Sequence, residues 1–417
     1  MNRSARLADI AANAEYRAVL AAAALSWLGD MLAKAALTYL VFTQTDSVGW
    51  SAATFAIGFF PWVAGGPLLS AYAERHPFRR TMIGCDLLRM AAIGLVALPG
   101  LPVAMMLALL FVTSLFTPPF ESARSALVAQ LLSGELYVSA LAIRGVVFQA
   151  AQLAGYLTGG IVAAASPRLA IGLDAATFAA SAMLISRVTA RPSPMTEQHR
   201  SNLLREAAEG LAVVFGRPPL RAIALVVFTV VTFTILPEGL AAAWTSQLGG
   251  GPVAQSMLMA APPLGGAVGG LVIARLVPGP VRLKIIRPLA LAAPAALAPV
   301  LAHPPYPVVL ILVVISSFAA TGTVIACNGL FVRVLPDSYR ARAFGIMQGG
   351  LFLVQGTAVA AAGLVGQGVP VPSVVGGWSL AGILIMAVIG LGWPAPAAFG
   401  EDPGRAPAAR AADPARP

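Results

Sequence analysis

Apolar residues in this chain run in stretches of roughly twenty, the length that crosses a bilayer as an α-helix, separated by short polar, charged or Pro/Gly-rich intervals. The pattern predicts spans near 17–43, 49–73, 81–99, 102–128, 139–165 and 168–187, then six more near 219–246, 252–276, 284–301, 306–333, 343–366 and 371–393. Residues 189–218 are the only long polar interruption. Within them Leu203, Leu204, Ala207, Ala208, Leu211 and Val214 recur at helical spacing opposite Arg205, Glu206 and Glu209, which predicts an amphipathic linker helix lying on a surface. From Pro394 onward no apolar period remains, and a disordered tail is expected. The organisation is therefore a six-helix unit over 1–188, a linker over 189–218, a second six-helix unit over 219–393 and a tail over 394–417.

Composition agrees with a lipid environment. Of the 417 residues, 58% are hydrophobic and 11% charged, well below the roughly 25% charged residues of a soluble domain. This excludes a secreted disulfide scaffold, an ordinary cytosolic enzyme and a disordered regulator. The net charge of +10 would suggest nucleic acid in a soluble protein, but its distribution argues otherwise. Arg75, Arg79, Arg80, Arg282, Lys284, Arg340 and Arg342 fall in loops on one side of a twelve-span chain, while the opposite loops hold only Arg168. By the positive-inside rule both termini and the linker are expected in the cytoplasm, with the chain multi-pass in the cell membrane. The first sixteen residues mix both signs and lead into an apolar run without a small-residue cleavage site, so no cleaved signal peptide is read. Cys85 and Cys327 lie in or beside apolar runs and are read as structural thiols.

The two halves echo each other. GGPLLSAYAER at 65–75 matches GGAVGGLVIAR at 265–275 in its leading glycines and closing arginine, and the stretch 131–152 runs parallel to 334–355, aligning Gln152 with Gln355. Such a duplication suits a transporter in which two equivalent bundles rock around a central site.

Between the second and third spans the chain reads SAYAERHPFRRTMIGCDLLRM. This resembles the signature loop of the major facilitator superfamily, with Ser70, Glu74, Arg75, Arg79 and Arg80 at the motif positions; Ser70 stands for the usual glycine and Glu74 for the usual aspartate. Asp86 and Arg89 in DLLR, RSAL at 124–127 and LDAATF at 173–178 resemble the branch containing enterobactin and macrolide exporters. The resemblance implies an all-α integral membrane fold of twelve transmembrane helices in two pseudo-symmetric six-helix bundles. It also implies a cytoplasmic gate formed by the loop residues together with Asp86, Arg89 and Arg124. In the fifth span AGYLTGG resembles the antiporter motif in Gly155, Gly159 and Gly160, with Tyr156 in place of proline; the same glycines also serve close helix packing.

A charge at mid-membrane costs roughly 2.5 to 3.5 kcal/mol even on the lower scale, so each one kept there requires a reason. Asp30 and Lys34 are spaced i,i+4 in the first span and read either as a self-neutralising pair or as a proton-coupling site. Glu121, three residues before Arg124 and just past Pro118 and Pro119, reads as an inner-gate bridge or a coupling acid. Glu238, beside a proline and with no cation within a turn, reads as an acid at the outer mouth or a coupling site. Asp174 is expected as a cap or anchor near the outer surface, and Arg144 as a snorkelling side chain.

Gln149, Gln152, Tyr156, Gln348 and Gln355 are the polar cavity candidates, with Trp27, Tyr39, Phe59, Phe60 and Trp244 as an aromatic lining. The three histidines, His76, His199 and His303, all lie in loops, so no intramembrane metal site is expected. No phosphate-binding loop and no GxSxG elbow occur. The reading is a secondary transporter, not an enzyme, without cofactor or nucleic-acid partner. The resemblance implies that it moves a small hydrophobic or amphipathic molecule outward against protons, and a monomer in the bilayer is expected. An importer or facilitator of a metabolite, or a lipid flippase, are the rival transport readings, and an integral-membrane enzyme the rival of another class.

Overall fold

The computed structural model describes residues 9–64, 76–189, 203–336, 339–394 and 399. The chain folds as twelve helical spans. The first half comprises Ala14–Thr45; Val48–Ala56 continued by Phe60–Ala64; Phe78–Val96; Val103–Leu115 continued by Thr117–Leu131; Gly134–Ala165; and Pro167–Ser186. The second half comprises Pro218–Thr234 continued by Leu236–Gly239 and Ala241–Gln247; Pro252–Leu276; Gly279–Ala295 continued by a 3-10 turn at Ala298–Ala302; Tyr306–Val334; Arg340–Val365; and Val371–Leu391. Ten of these spans are long and apolar enough to cross a bilayer on length and composition alone. The second is shorter within the described residues, and the third carries Arg79, Arg80, Asp86 and Arg89. Helices satisfy their own backbone groups, which lipid demands. Leu384, Leu391 and Val388 stand exposed on the twelfth span, as a lipid-facing surface requires.

Local chemistry sets the span boundaries. Asn13, Ser47 and Ser166 cap the first, second and sixth spans by accepting from Tyr16, Trp50 and Leu169 backbone N–H groups at 3.0, 3.3 and 3.3 Å. Pro167, Pro218 and Pro252 open their helices, where a missing N–H costs nothing. The fourth span breaks at Phe116 directly before Pro118 and Pro119, and the seventh breaks at Ile235 before Pro237.

The linker helix Leu203–Gly216 lies against the second half. Glu209 accepts from Arg342 at 2.8 Å, and Val214 is fully buried in the core formed with Leu220, Ile223 and Phe331. Its apolar side is thus partly spent on protein, where a surface-lying helix was expected; Leu211 remains exposed.

The two halves share one apolar core, and it lies toward the face opposite the linker helix. Ala35, Phe42, Val48, Ala52 and Phe55 of the first half pack there with Leu236, Trp244, Leu258, Val359 and Ala362 of the second. Toward the linker face the described buried clusters stay within one half each, around Tyr16, Phe78 and Phe120 in the first and around Ile223, Leu330 and Phe331 in the second. Among the described residues the halves are consequently joined at the far face and share no buried apolar cluster at the linker face.

Candidate functional site

Inside the first bundle Arg89 of the third span is the centre of a charge cluster. Its guanidinium donates through one nitrogen to both oxygens of Asp30, each at 2.8 Å, and through the other to Ser26 Oγ at 3.2 Å. Asp86 lies 3.9 Å away and accepts from Ser181 Oγ at 2.6 Å. Phe178 stacks under the guanidinium with 4.0 Å between its ring centroid and Arg89 Cζ. Asp174 belongs to the same electrostatic cluster. Arg89, Asp86 and Asp174 are buried, whereas the Asp30 side chain retains 25% exposure.

Two expectations change here. Asp30 pairs with Arg89 rather than with Lys34, because helical spacing fixes only neighbours on one helix and the third span supplies a charged donor at 2.8 Å from both carboxylate oxygens. Asp174 is no surface cap: it sits in the second turn of the sixth span, buried against Gly29 of the first.

A second cluster stands nearer the linker face. Glu121 accepts from Arg124 on its own helix and from Arg144 of the fifth span, the latter at 2.8 Å. Both guanidiniums also lie beside the Trp27 ring, at 5.2 and 5.5 Å from its centroid, and Phe148 meets that ring edge-on. Arg144 is therefore a partner of Glu121 as well as a half-exposed side chain.

The third cluster joins the halves. Tyr156 of the fifth span donates its hydroxyl to Glu238 of the seventh, both buried. Lys34 interacts electrostatically with Glu238 and, more weakly, with Asp30, and its ammonium lies 5.0 and 5.6 Å from the Phe55 and Phe59 ring centroids. Gln255 of the eighth span donates to Ala35 O at 2.9 Å and Thr38 Oγ1 at 2.7 Å of the first. Glu238 thus has a cation and a hydroxyl from the opposite half, where sequence spacing showed no cation within a turn.

Directly below this junction is a cavity of about 250 Å³ between the bundles. Gln149, Gln152, Thr234, Glu238, Ser317 and Thr321 supply its polar lining, and Val231, Ile235, Pro262 and Val324 much of the rest. Gln149 also donates to Pro263 O at 3.1 Å across the interface. Among the residues lining this cavity Glu238 is the one carboxylate.

The structure thus gathers Gln149, Gln152 and Glu238 as expected cavity groups, with Tyr156 buried just behind them. Gln348 and Gln355 do not line this cavity: Phe352 between them is stacked on Trp62 and near Phe59, so that side of the eleventh span is turned to the second. Trp27 is held by Arg124 and Arg144 instead of lining the cavity. Asp86 and Arg89, expected at the gate, are buried with Asp30 in the bundle interior. Arg79 and Arg80 stand at the start of the third span on the linker face. Ser70, Glu74 and Arg75 lie outside the described residues. Gln255, Ser181, Thr234, Ser317 and Thr321 were missed, being single uncharged polar residues in apolar helices; a partner on another helix marks the first two and the cavity the other three.

The close approaches repeat across the two halves. A Cβ on Gly160 would run into Ser256 of the eighth span, and one on Gly363 into Ala52 of the second. The offset that aligns Gln152 with Gln355 also aligns Gly160 with Gly363. Both pairs lie at the far-face ends of their spans. In the fifth span Gly155 and Gly159 fit against the first, where added Cβ atoms would stand 2.6 and 2.9 Å from Leu28 O and Leu32 O.

Two six-span bundles meeting around a polar cavity within the membrane define a polytopic membrane transporter. Comparison with known proteins gives its family: a sequence profile of the Major Facilitator Superfamily matches residues 19–300, and the chain belongs to that superfamily. It is 25% identical to macrolide efflux protein A of Streptococcus pyogenes over 234 residues, 54% of this chain and 56% of that protein. It is 28% identical to macrolide efflux protein A of Enterococcus faecalis over 192 residues, 43% of this chain and 58% of that protein. The chain thus spans little more than half the length of these relatives. Among solved structures it is similar to a bacterial homologue of the iron transporter ferroportin in an inward-facing state, with a TM-score of 0.71 at 14% identity over 91% of this chain and 98% of that one. The nucleoside transporter NupG gives 0.69 at 14% identity over 91% and 99%. A POT family transporter gives 0.69 at 11% over 90% and 95%. These structural likenesses share the fold.

Proposed function

We propose that this protein is a proton-coupled exporter of small amphipathic molecules of the macrolide kind, working by alternating access. The observation that carries this reading is the inter-bundle cavity: neutral amides and hydroxyls beside apolar walls, with one carboxylate, suit an amphipathic molecule with scattered polar groups. The efflux proteins among its relatives support the direction of transport. Arginine asymmetry supports a cytoplasmic linker face and cytoplasmic termini in a cell-membrane protein. On that assignment the cavity is presented to the cytoplasm, with the far face closed by the shared core.

In this reading substrate enters from the cytoplasm between Gln149, Gln152 and Glu238. Reorientation then parts Tyr156, Lys34 and Gln255 from their partners in the opposite half, and the cavity opens outward. Asp30 and Glu238 are the acids assigned to proton exchange, since Asp30 keeps 25% exposure beside Arg89 and Glu238 lines the cavity. The linker-face cluster of Glu121, Arg124 and Arg144, with Glu74, Arg75, Arg79 and Arg80, closes the inner side in the other state. A single chain contains the whole cavity, so a monomer suffices.

The test is uptake of radiolabelled erythromycin into everted membrane vesicles. Uptake that depends on a respiration-generated proton gradient and is lost with Asp30→Asn, while erythromycin binding persists, is the expected result. Uptake into right-side-out vesicles instead would make the protein an importer.

A further inference from the structure

The charges gathered around Arg89 do not balance. Asp30, Asp86 and Asp174 act on one guanidinium, Arg89, and Lys34, the other cation that acts on Asp30, also serves Glu238. Four carboxylates thus share two cations, and a buried carboxylate without a counter-charge costs several kcal/mol, so it is held neutral. Geometry distinguishes the acids. Asp30 has one guanidinium nitrogen at 2.8 Å from both its oxygens, and Asp86 has Ser181 at 2.6 Å and Arg89 at 3.9 Å. Asp174 has a hydroxyl from its own helix, Thr177 Oγ1 at 3.2 Å.

Two further features mark a built site. Asp86 Oδ1 and Arg89 Nε are buried without hydrogen-bond partners. Gly29, the residue before Asp30, leaves a notch on the first span that Asp174 Oδ1 and Thr177 Oγ1 occupy; a Cβ there would collide with both. The groups facing Asp174 are Asp30 from the first span and Arg89 from the third, with Asp86 and Cys85 beyond. The fifth span also packs on the sixth, but its Arg144 is on Glu121 and its Tyr156 on Glu238, and its remaining acid, Glu135, is in its first turn.

We infer that Asp174 is an occluded proton site of the first bundle, carrying a proton in this state and exchanging it with Asp30 through their common partner Arg89. A proton arriving from water adds to the partly exposed Asp30 carboxylate and releases Arg89. The guanidinium is then free to turn to Asp174, which passes its proton to a water molecule, so one proton enters at Asp30 and one leaves from Asp174 with the cluster charge unchanged. This deepens the proton-coupled reading above and rests on it.

The experiment is infrared spectroscopy of the purified full chain at neutral pH, paired with transport in proteoliposomes. Wild-type protein should show the C=O stretch of a buried protonated carboxyl; Asp174→Asn should remove that band and Asp86→Asn should leave it. Asp174→Asn should also abolish erythromycin accumulation driven by a pH gradient, while erythromycin counterflow, which moves no net proton, continues. Gly29→Ala, which presses on the carboxyl without removing it, should shift the band. Absence of the band from wild-type protein would overturn the site, as would its persistence in Asp174→Asn, an unshifted band in Gly29→Ala, or loss of counterflow together with accumulation in folded Asp174→Asn. Wild-type protein that performs counterflow but does not respond to a pH gradient would instead refute proton coupling, leaving the band to test the site by itself.

Discussion

Arg89 organises the first bundle more than any other residue. It is buried, stacked on Phe178 and shared by Asp30 and Asp86, so its removal leaves at least two acids without their cation. Breaking a buried ion pair by deleting one partner typically costs about 3 to 5 kcal/mol. Arg89→Leu is therefore expected to lower the detergent-solubilised midpoint of thermal unfolding sharply and reduce membrane yield, whereas Arg89→Lys, which keeps charge but loses the second nitrogen on Ser26 and the planar stack on Phe178, should retain yield and lose transport. An Arg89→Leu protein as stable as wild type would show that the cluster does not support the fold. The sequence singled out Asp30, Lys34, Asp86 and Arg89 because charge in lipid is conspicuous, but it could not pair them. Helical spacing joins Asp30 to Lys34, while the actual partners come from the third span and, for Lys34, from the aromatic rings of Phe55 and Phe59 and the carboxylate of Glu238.

Helix by helix, the seam between the halves is written in small residues. Gly160 meets Ser256 and Gly363 meets Ala52 at equivalent positions of the internal repeat, so both joints sit at the far-face ends of their spans and neither has room for a side chain. Overpacking of this kind costs typically about 1 to 3 kcal/mol, and that cost falls only on the state in which the seam is closed. Gly363→Leu is thus expected to move the population toward the outward-open state by roughly 5- to 150-fold. Distance measurements between spin labels at the far-face ends of the second and eleventh spans should show the longer separation gaining weight. Gln255→Leu removes the bonds to Ala35 O and Thr38 Oγ1, each contributing about 1 kcal/mol, and should act in the same direction more weakly. An unchanged distance distribution in both variants would mean that this seam does not open.

The helical elements were legible where chemistry is local. Pro118, Pro119 and Pro237 stand where their spans break, and Gly155, Gly159 and Gly160 announced close packing. The identity of the packed partner was not legible, since a glycine gives no sign of which helix fills its notch. The linker helix shows the same limit: its apolar stripe was visible, but its burial of Val214 in the second half depends on a groove the sequence does not display.

At the scale of the molecule, span count, bundle organisation and family were readable from hydropathy, arginine asymmetry and one motif, because the bilayer permits few alternatives to helices of fixed length. The conformational state was not readable. It follows from where the shared apolar core lies, which depends on contacts between residues some two hundred positions apart. Alternating access is the central claim, and Gln152 tests it most directly because it lines the cavity between the halves. Gln152→Cys in a background with Cys85 and Cys327 replaced by alanine should react with a membrane-impermeant maleimide applied from the cytoplasmic side and resist it from outside; adding Gly363→Leu should reverse that preference. Equal reactivity from both sides, or a preference that Gly363→Leu leaves unchanged, would contradict the account.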